Sequence, residues 1–456
     1  MQEVIEKDLT AKNKMGVKPI GKLMFSMGVP LIISMVIQAF YNVVDSYFVA
    51  RIEGMGDACM NALTLAFPVQ MLMIAIGVGT GVGINSVLSR SLGAGETQKA
   101  YKVAGNAVIL GFLSYLLFLL FGLFGVDVYL KSQTSDALVL SLAGDYLKIC
   151  SVFSFGAIFY MIFEKLLQGT GKNVHATIAM IIGAVINIIL DPIMIFGEFG
   201  FPATGVSGAA WATVVGQVVS CLLDAFFHYF CNKEIKSGIK YLKPDGKIIG
   251  EIYKVGLPAI IMQALMSVMT YMVNLIIRPL SDEAVTAFGV YYKIQQFALF
   301  AAFGFNNAQI PIVAYNYGMK DKKRVKEGVV YGLVDTVAVM VIFGVIFFIF
   351  AQQIANIFGL SSKTASYLQI AMKIIVFGYP FMGANISFQG VFQAFGKGVQ
   401  SLVLSAIRLI VPAMPLLRAF TNTANAGLCF SAFPISETVA FAFGLIYLIC
   451  IMKKND

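Results

Sequence analysis

The chain has 456 residues, with hydrophobic residues at 58%, charged residues at 12% and a mean hydropathy of +0.81, which excludes a water-soluble or disordered protein and marks an integral membrane protein. Its net charge of +9 would suggest nucleic acid in a soluble protein, but the position of each Lys and Arg relative to a bilayer explains it better, so no nucleic-acid partner is expected. The six cysteines, Cys59, Cys150, Cys221, Cys231, Cys429 and Cys450, form no close pair, which argues against a disulfide framework or thiolate metal site and leaves them as small hydrophobes.

The first nineteen residues are polar and of mixed charge, so no cleavable signal peptide is expected and the first apolar helix is expected to direct insertion. At about 20 residues per crossing, twelve spans are predicted near 24–50, 61–88, 103–126, 138–163, 174–196, 206–230, 255–277, 285–315, 327–350, 366–391, 399–420 and 427–452. With both termini cytoplasmic, 24 of the 33 Lys and Arg fall on the inner side, and only Arg51, Lys131, Arg278, Lys363 and Arg418 on the outer. Lys148, Lys293, Lys373 and Arg408 fall within spans. The expected location is the inner (cytoplasmic) membrane.

The chain repeats itself. Gln168-Gly-Thr-Gly-Lys172 recurs as Gln393-Ala-Phe-Gly-Lys397 and Ser91-Leu-Gly93 as Asn316-Tyr-Gly318, both displaced by 225 positions, while Met27-Gly-Val-Pro30 recurs as Val255-Gly-Leu-Pro258. The predicted fold is an all-α membrane protein of twelve transmembrane helices in two parallel six-helix repeats forming a central cleft, a plan suited to alternating access. The predicted parts are a cytoplasmic tail (1–23), a first lobe (24–230), a cytoplasmic linker (231–254), a second lobe (255–452) and a short tail (453–456).

Asp45 lies inside the first span, in an otherwise uncharged run from Met24 to Ala50, and Asp191 lies inside the fifth. An acid at a helix centre in the bilayer costs roughly 2.5–3.5 kcal/mol, so such residues point to ion or proton handling. The polar residues fall at helical spacing: Gln38, Asn42 and Asp45 with Tyr41 beside them, Asn187 and Asp191, then Thr213, Gln217 and Asp224. The second half answers with Gln263, Ser267, Thr270 and Asn274, then Lys293, Gln296 and Asn307, then Asn385, Gln389 and Gln393. At the repeat displacements, Asp45 and Asp191 meet no second-half acid. A carboxylate-bound coupling ion is therefore expected in the first half. Two acids brought together there could load a proton, or hold Na⁺ with Asn187 and Thr213. Alternatively, the two acids neutralise Lys148 or cap interhelical hydrogen bonds.

The segments Gln38-Ala-Phe-Tyr-Asn-Val-Val-Asp45, Asn187-Ile-Ile-Leu-Asp-Pro192, Gly205-Val-Ser-Gly-Ala-Ala-Trp-Ala-Thr213 and Pro311-Ile-Val-Ala-Tyr-Asn-Tyr-Gly318 resemble the MATE family, the multidrug and toxic compound extrusion antiporters. The resemblance covers nearly the whole chain. It implies two six-helix lobes around a V-shaped cavity and export of mostly cationic, amphipathic compounds driven by H⁺ or Na⁺. It also implies a cation site at Asp45, Asn187, Asp191 and Thr213. The chain departs from family members that carry a Glu in span 7 and an Asp in span 10, because Pro258–Asn274 holds no acid and span 10 offers Asn385 and Gln389.

The substrate cavity is expected to draw on Gln38, Tyr41, Asn42, Gln263, Lys293, Gln296, Asn385 and Gln389, with some of the abundant Phe, Met and Tyr side chains. The expected partners are small-molecule drugs or toxic metabolites and membrane lipid, for a monomer without a cofactor beyond the coupling ion. Lys293 is open to two readings, a cross-cleft partner for a first-half acid or a lysine reaching for the interface. Glu164 with Lys165 and Glu437 with Arg408 are candidate ion pairs. His175 and His228 are assigned no role. Gly77, Gly79, Gly81 and Gly83 lie inside a span and so suit close packing rather than phosphate binding. A flippase for lipid-linked saccharides is the alternative transport reading. An enzyme is not expected, since the histidines and cysteines are scattered.

Overall fold

The computed structural model describes residues 13–52, 54–423 and 425–455. The predicted N-terminal tail is thus described only from Asn13, and residues 1–12 and Asp456 lie outside the described residues. Eleven helical runs are long and apolar enough to cross a bilayer among the described residues: Ile20–Ala50, Gly56–Gly93, Thr97–Lys131, Asn173–Phe196, Val206–Cys231, Gly246–Ile277, Asp282–Gly318, Lys322–Ile349, Ser362–Ala394, Gly398–Thr421 and Ala426–Lys453. The pair Ala137–Val152 and Phe155–Gly169, bent by 43°, makes the twelfth when taken as one span. The protein is an all-α, multi-span membrane protein, as its apolar runs predict.

Most helices overrun the predicted spans, and at three of them a cap outside the apolar run sets the start. The Asp245 carboxylate accepts from the backbone of Lys247 and Ile248 at 3.1 and 3.4 Å, so the Gly246–Ile277 helix starts before the apolar stretch at 255. Ser281 accepts from Ala284 at 3.0 Å and Asp321 from Arg324 at 3.0 Å, which start the two following helices. The Ile248 amide, ahead of Lys247 and Lys102, holds the Asp245 carboxyl below the usual carboxylate range. Pro30, Pro68, Pro192 and Pro258 lie within continuous helices rather than at unwound turns, as do Pro311 and Pro434.

The helices gather into two compact units. The first-half unit takes 33–92 and 96–253; the second-half unit takes 13–32, Gly93–Gly95 and 254–455. The repeat puts residues 24–32 in the first lobe and 231–254 in a linker, whereas packing groups 24–32 with the second half and 231–253 with the first. The physical reason for the first shift is close approach along the Asp282–Gly318 helix. A Cβ on Gly304 would stand 2.9 Å from the Ile32 nitrogen, and Phe25 meets Phe305 edge-on at 5.7 Å. Each unit has its own apolar core, around Tyr146, Leu147 and Ala209 in the first and around Phe288, Tyr291, Tyr379 and Phe430 in the second.

Candidate functional site

Two helices of the first-half unit, Asn173–Phe196 and Val206–Phe226, pack at glycines. A Cβ on Gly183 would stand 2.6 Å from the Gly216 carbonyl oxygen and would run into the Ser220 hydroxyl, and one on Gly216 would stand 2.7 Å from the Gly183 carbonyl oxygen. Small residues at that crossing let the backbones meet. One turn further along, the Asn187 amide therefore reaches Thr213, its Nδ2 donating to Oγ1 at 3.4 Å. Asp191 lies a turn beyond Asn187 on the same face and is fully buried. Pro192, which follows it, lacks the N–H that would close on the Ile188 carbonyl.

Asp45 is buried on the Ile20–Ala50 helix. Its charge acts on Asp191, Tyr41, Tyr146 and Cys150, which brings the two acids into one electrostatic neighbourhood. Among the described residues, neither acid forms an ion pair with a base. Asp45 Oδ1, both Asp191 carboxyl oxygens and Asn187 Oδ1 have no hydrogen-bond partner among the described residues. Lys148 pairs instead with Asp127 at 2.7 Å, which removes the reading in which the two acids neutralise it. Four oxygens with free lone pairs beside a threonine hydroxyl make a set that can accept a proton or ligate a hard cation.

Beside this set lies a small, partly open pocket of about 30 Å³ lined by Gln38, Tyr41, Tyr160, Met180, Gly183, Ala184, Asn187, Thr213, Gly216, Gln217 and Ser220. Of the expected cavity residues, Gln38 and Tyr41 line it, and the Asn42 side chain lies outside the described residues. Tyr160 and Met180 are lining residues that spacing on the Gln38–Asp45 stripe does not reveal, since each comes from another helix.

The remaining expected cavity residues belong to the second-half unit. Lys293 is exposed, and Gln263 and Gln296 are half-buried. Gln389 is buried, with its amide nitrogen unpartnered among the described residues. Asn385 departs from the expectation of a free lining amide. It is fully buried, and its Nδ2 donates to the Glu437 carbonyl at 2.9 Å and to Glu437 Oε2 at 2.8 Å. Glu437 also pairs with Arg408, Nε to Oε1 at 2.8 Å, as the sequence anticipates. Glu164 and Lys165 stand 4.0 Å apart, bridged by Gln168. One second-half acid escapes the repeat comparison: Asp335, inside the Lys322–Ile349 helix, is half-buried with Oδ2 unpartnered among the described residues. A residue-by-residue search for counterparts of Asp45 and Asp191 passes over it, although a plain scan of the ninth span for charge would find it.

The MatE family model matches residues 30–193 and again 258–417. The chain belongs to the MatE family, and it is accordingly a membrane transporter rather than an enzyme. The two matched stretches begin 228 positions apart, 258 less 30, which is the displacement between Pro30 and Pro258 in the sequence repeat. Among curated proteins, the chain is similar to the multidrug export protein MepA of Staphylococcus haemolyticus, 24% identical over 436 residues, covering 95% of this chain and 94% of that one. It is also similar to MepA of Staphylococcus saprophyticus, 27% identical over 398 residues with 86% of each covered. Among solved structures, MATE in the straight conformation superposes with a TM-score of 0.90 at 24% identity, covering 97% of this chain and 99% of that one. An outward-facing multidrug resistance MATE family transporter of the MOP superfamily does so with 0.89, covering 97% and 98% at 24% identity. These likenesses establish the fold.

Proposed function

We propose that the protein exports amphipathic, mostly cationic organic compounds from the cell across the cytoplasmic membrane in exchange for H⁺ or Na⁺, by alternating access. The coupling cation binds at Asp45 and Asp191, with Asn187 and Thr213 completing its oxygen set. The observation that carries this reading is a pair of buried carboxylates whose free oxygens face no fixed base. Such groups are costly in the bilayer unless a mobile cation occupies them for part of a cycle. Likeness to the multidrug export proteins MepA of Staphylococcus supports drug export as the class of work. The rings of Tyr41 and Tyr160 and the amides of Gln38 and Gln217, which line the small adjoining pocket, are groups that suit contact with an aromatic or cationic solute beside the ion. Because binding energies are reciprocal, a cation that weakens substrate binding is itself expelled by substrate.

The flippase alternative leaned on four bases within spans. Lys148 and Arg408 are committed to Asp127 and Glu437, which leaves Lys293 and Lys373, both exposed, to hold a pyrophosphate. Export is the better supported reading.

The test is purified protein in liposomes loaded with a fluorescent organic cation, under an imposed pH gradient and separately under an imposed Na⁺ gradient. Wild type is expected to move dye under at least one gradient, and Asp45→Asn to lose at least tenfold of that rate. Equal dye movement by both proteins under every gradient would overturn the coupling assignment.

A further inference from the structure

The cation site is continued by a polar track that ends at a second orphaned acid. On the Val206–Phe226 helix, Thr213, Gln217, Ser220 and Asp224 stand at i, i+4, i+7 and i+11, one face of the helix. At 1.5 Å per residue, Asp224 lies about 16 Å along the axis from Thr213. On the Phe155–Gly169 helix, Tyr160, Glu164 and Gln168 repeat every fourth residue. The two faces meet: Tyr160, Gln217 and Ser220 line the same pocket as Asn187 and Thr213, the charge of Glu164 acts on Asp224, and both act on Tyr160. The track is anchored midway, where Ser220 Oγ donates to the Ala179 carbonyl at 3.2 Å.

Asp224 is only 1% exposed, and neither of its carboxyl oxygens has a hydrogen-bond partner among the described residues. Lys165, next to Glu164 in the chain, is already engaged: its Nζ donates to Gln168 Oε1 at 2.8 Å and stands 4.0 Å from Glu164, while Gln168 Nε2 donates to Glu164 at 2.7 Å. His228, on the turn that follows, meets Ser237 Oγ through Nε2 at 2.9 Å and packs on the Phe163 ring. From the third helix at this crossing, His175 sets its ring edge-on to Phe227, and the buried Thr177 hydroxyl has no partner among the described residues. A carboxylate kept dry, with no ion-pair partner among the described residues and at the end of a polar face, is not explained by packing.

We infer that Asp224, with Glu164 beside it, is a second resting position for the coupling cation, occupied between its departure from Asp45 and Asp191 and its release at the end of the unit where Gly171–Asn173 and the 231–253 segment lie. This rests on the proposed cation-coupled export. The step is a transfer of a cation alone: Asp191 gives up H⁺ or Na⁺ and Asp224 accepts it, with Thr213, Ser220 and Tyr160 hydroxyls spanning the gap and no bond to carbon formed or broken.

The test separates cation movement from substrate movement in the same liposomes. Substrate-for-substrate exchange without a gradient uses only the substrate-loaded carrier, whereas net efflux needs the cation to complete its path. Asp224→Asn is expected to cut gradient-driven efflux at least tenfold, under whichever gradient drives wild type, and to keep exchange within twofold. Asp224→Glu, which restores a carboxylate, is expected to keep both. Net efflux by Asp224→Asn within twofold of wild type would overturn the inference. So would a joint loss of efflux and exchange in both variants, which marks a structural acid. If Asp45→Asn is inactive while Asp224→Asn is unimpaired, only the second position falls; if Asp45→Asn matches wild type, the coupling reading itself fails.

Discussion

Each unit buries carboxylates among apolar helices, and Glu437 of the second half and the three aspartates of the first are treated in opposite ways, with Asp335 of the second half siding with the aspartates. In the second-half unit, Glu437 is held by the Arg408 guanidinium at 2.8 Å and by the Asn385 amide at 2.8 Å, so the charge is compensated on the spot. In the first-half unit, Asp191 and Asp224 keep all their carboxyl oxygens unpartnered among the described residues, and Asp45 keeps one. The first arrangement builds a scaffold, because a closed pair has nothing to gain from a mobile ion. The second leaves lone pairs for a ligand that comes and goes. The same residue class thus does structural work in one half of a duplicated chain and is available for transport in the other.

The sharpest way to break this contrast is to remove the fixed partner. Arg408→Met strands a buried charge, and breaking such a pair costs about 3–5 kcal/mol. A large drop in thermal unfolding temperature in detergent is expected, recovered in part when Glu437→Gln removes the stranded charge as well. Asp191→Asn makes the opposite prediction: nothing holds that acid, so its unfolding temperature should stay level or rise while gradient-driven efflux collapses. An Asp191→Asn protein destabilised as badly as Arg408→Met would mean that the first-half acid is structural too.

The next effect concerns how the site is assembled. Gly183→Ala puts a methyl 2.6 Å from the Gly216 carbonyl oxygen and into the Ser220 hydroxyl, which must push the two helices apart. Such overpacking typically costs about 1–3 kcal/mol. The 3.4 Å Asn187–Thr213 contact would open with it, so efflux should fall by more than stability alone accounts for. Gly289 in the second-half unit has nothing within 4 Å of an added methyl, and Gly289→Ala should be neutral or mildly stabilising in the same unfolding assay. Equal outcomes for the two substitutions would remove close packing as the reason the site exists.

How much of this was legible beforehand follows from what each feature depends on. The twelve spans are local, since an apolar run of bilayer length declares itself, while capping side chains such as Asp245, Ser281 and Asp321 set helix starts outside it. Asp45 and Asp191 are legible as charges in apolar runs, and Asn187 and Thr213 through helical spacing and family motif. Asp224 sits visibly on the Thr213 face, but nothing in the sequence tells that its carboxyl oxygens stay unpartnered among the described residues, because that depends on how the helices meet. Asn385 looked like a free amide for the same reason: its partner, Glu437, is 52 positions away and on another helix. Period and composition reveal which face a side chain occupies; only the folded chain reveals what it meets there.

The smallest predicted effects compare the two clasps that hold the segments ahead of the long proline-bearing helices. Lys99 and Arg324 occupy equivalent repeat positions, 225 apart, each in the first turn of its helix. In the first-half unit, Lys99 meets the Glu251 carboxylate at 2.9 Å, with both side chains partly exposed. In the second-half unit, Arg324 donates to Asn316 Oδ1 at 2.8 Å and to the Met15 and Lys18 carbonyls at 2.9 Å each, tying the segment before the Ile20–Ala50 helix to the Asp282–Gly318 helix. A planar fork spreads over three acceptors in a way an ammonium cannot. Arg324→Lys should therefore lower the unfolding temperature and make the bond after Lys14 more open to trypsin, at roughly 1.5–3 kcal/mol for charged hydrogen bonds. Lys99→Ala should cost at most about 1 kcal/mol, as exposed ion pairs do. Should Lys99→Ala prove the more damaging, the two clasps would be equivalent straps rather than one firm and one loose, and the asymmetry between the halves would be confined to their buried acids.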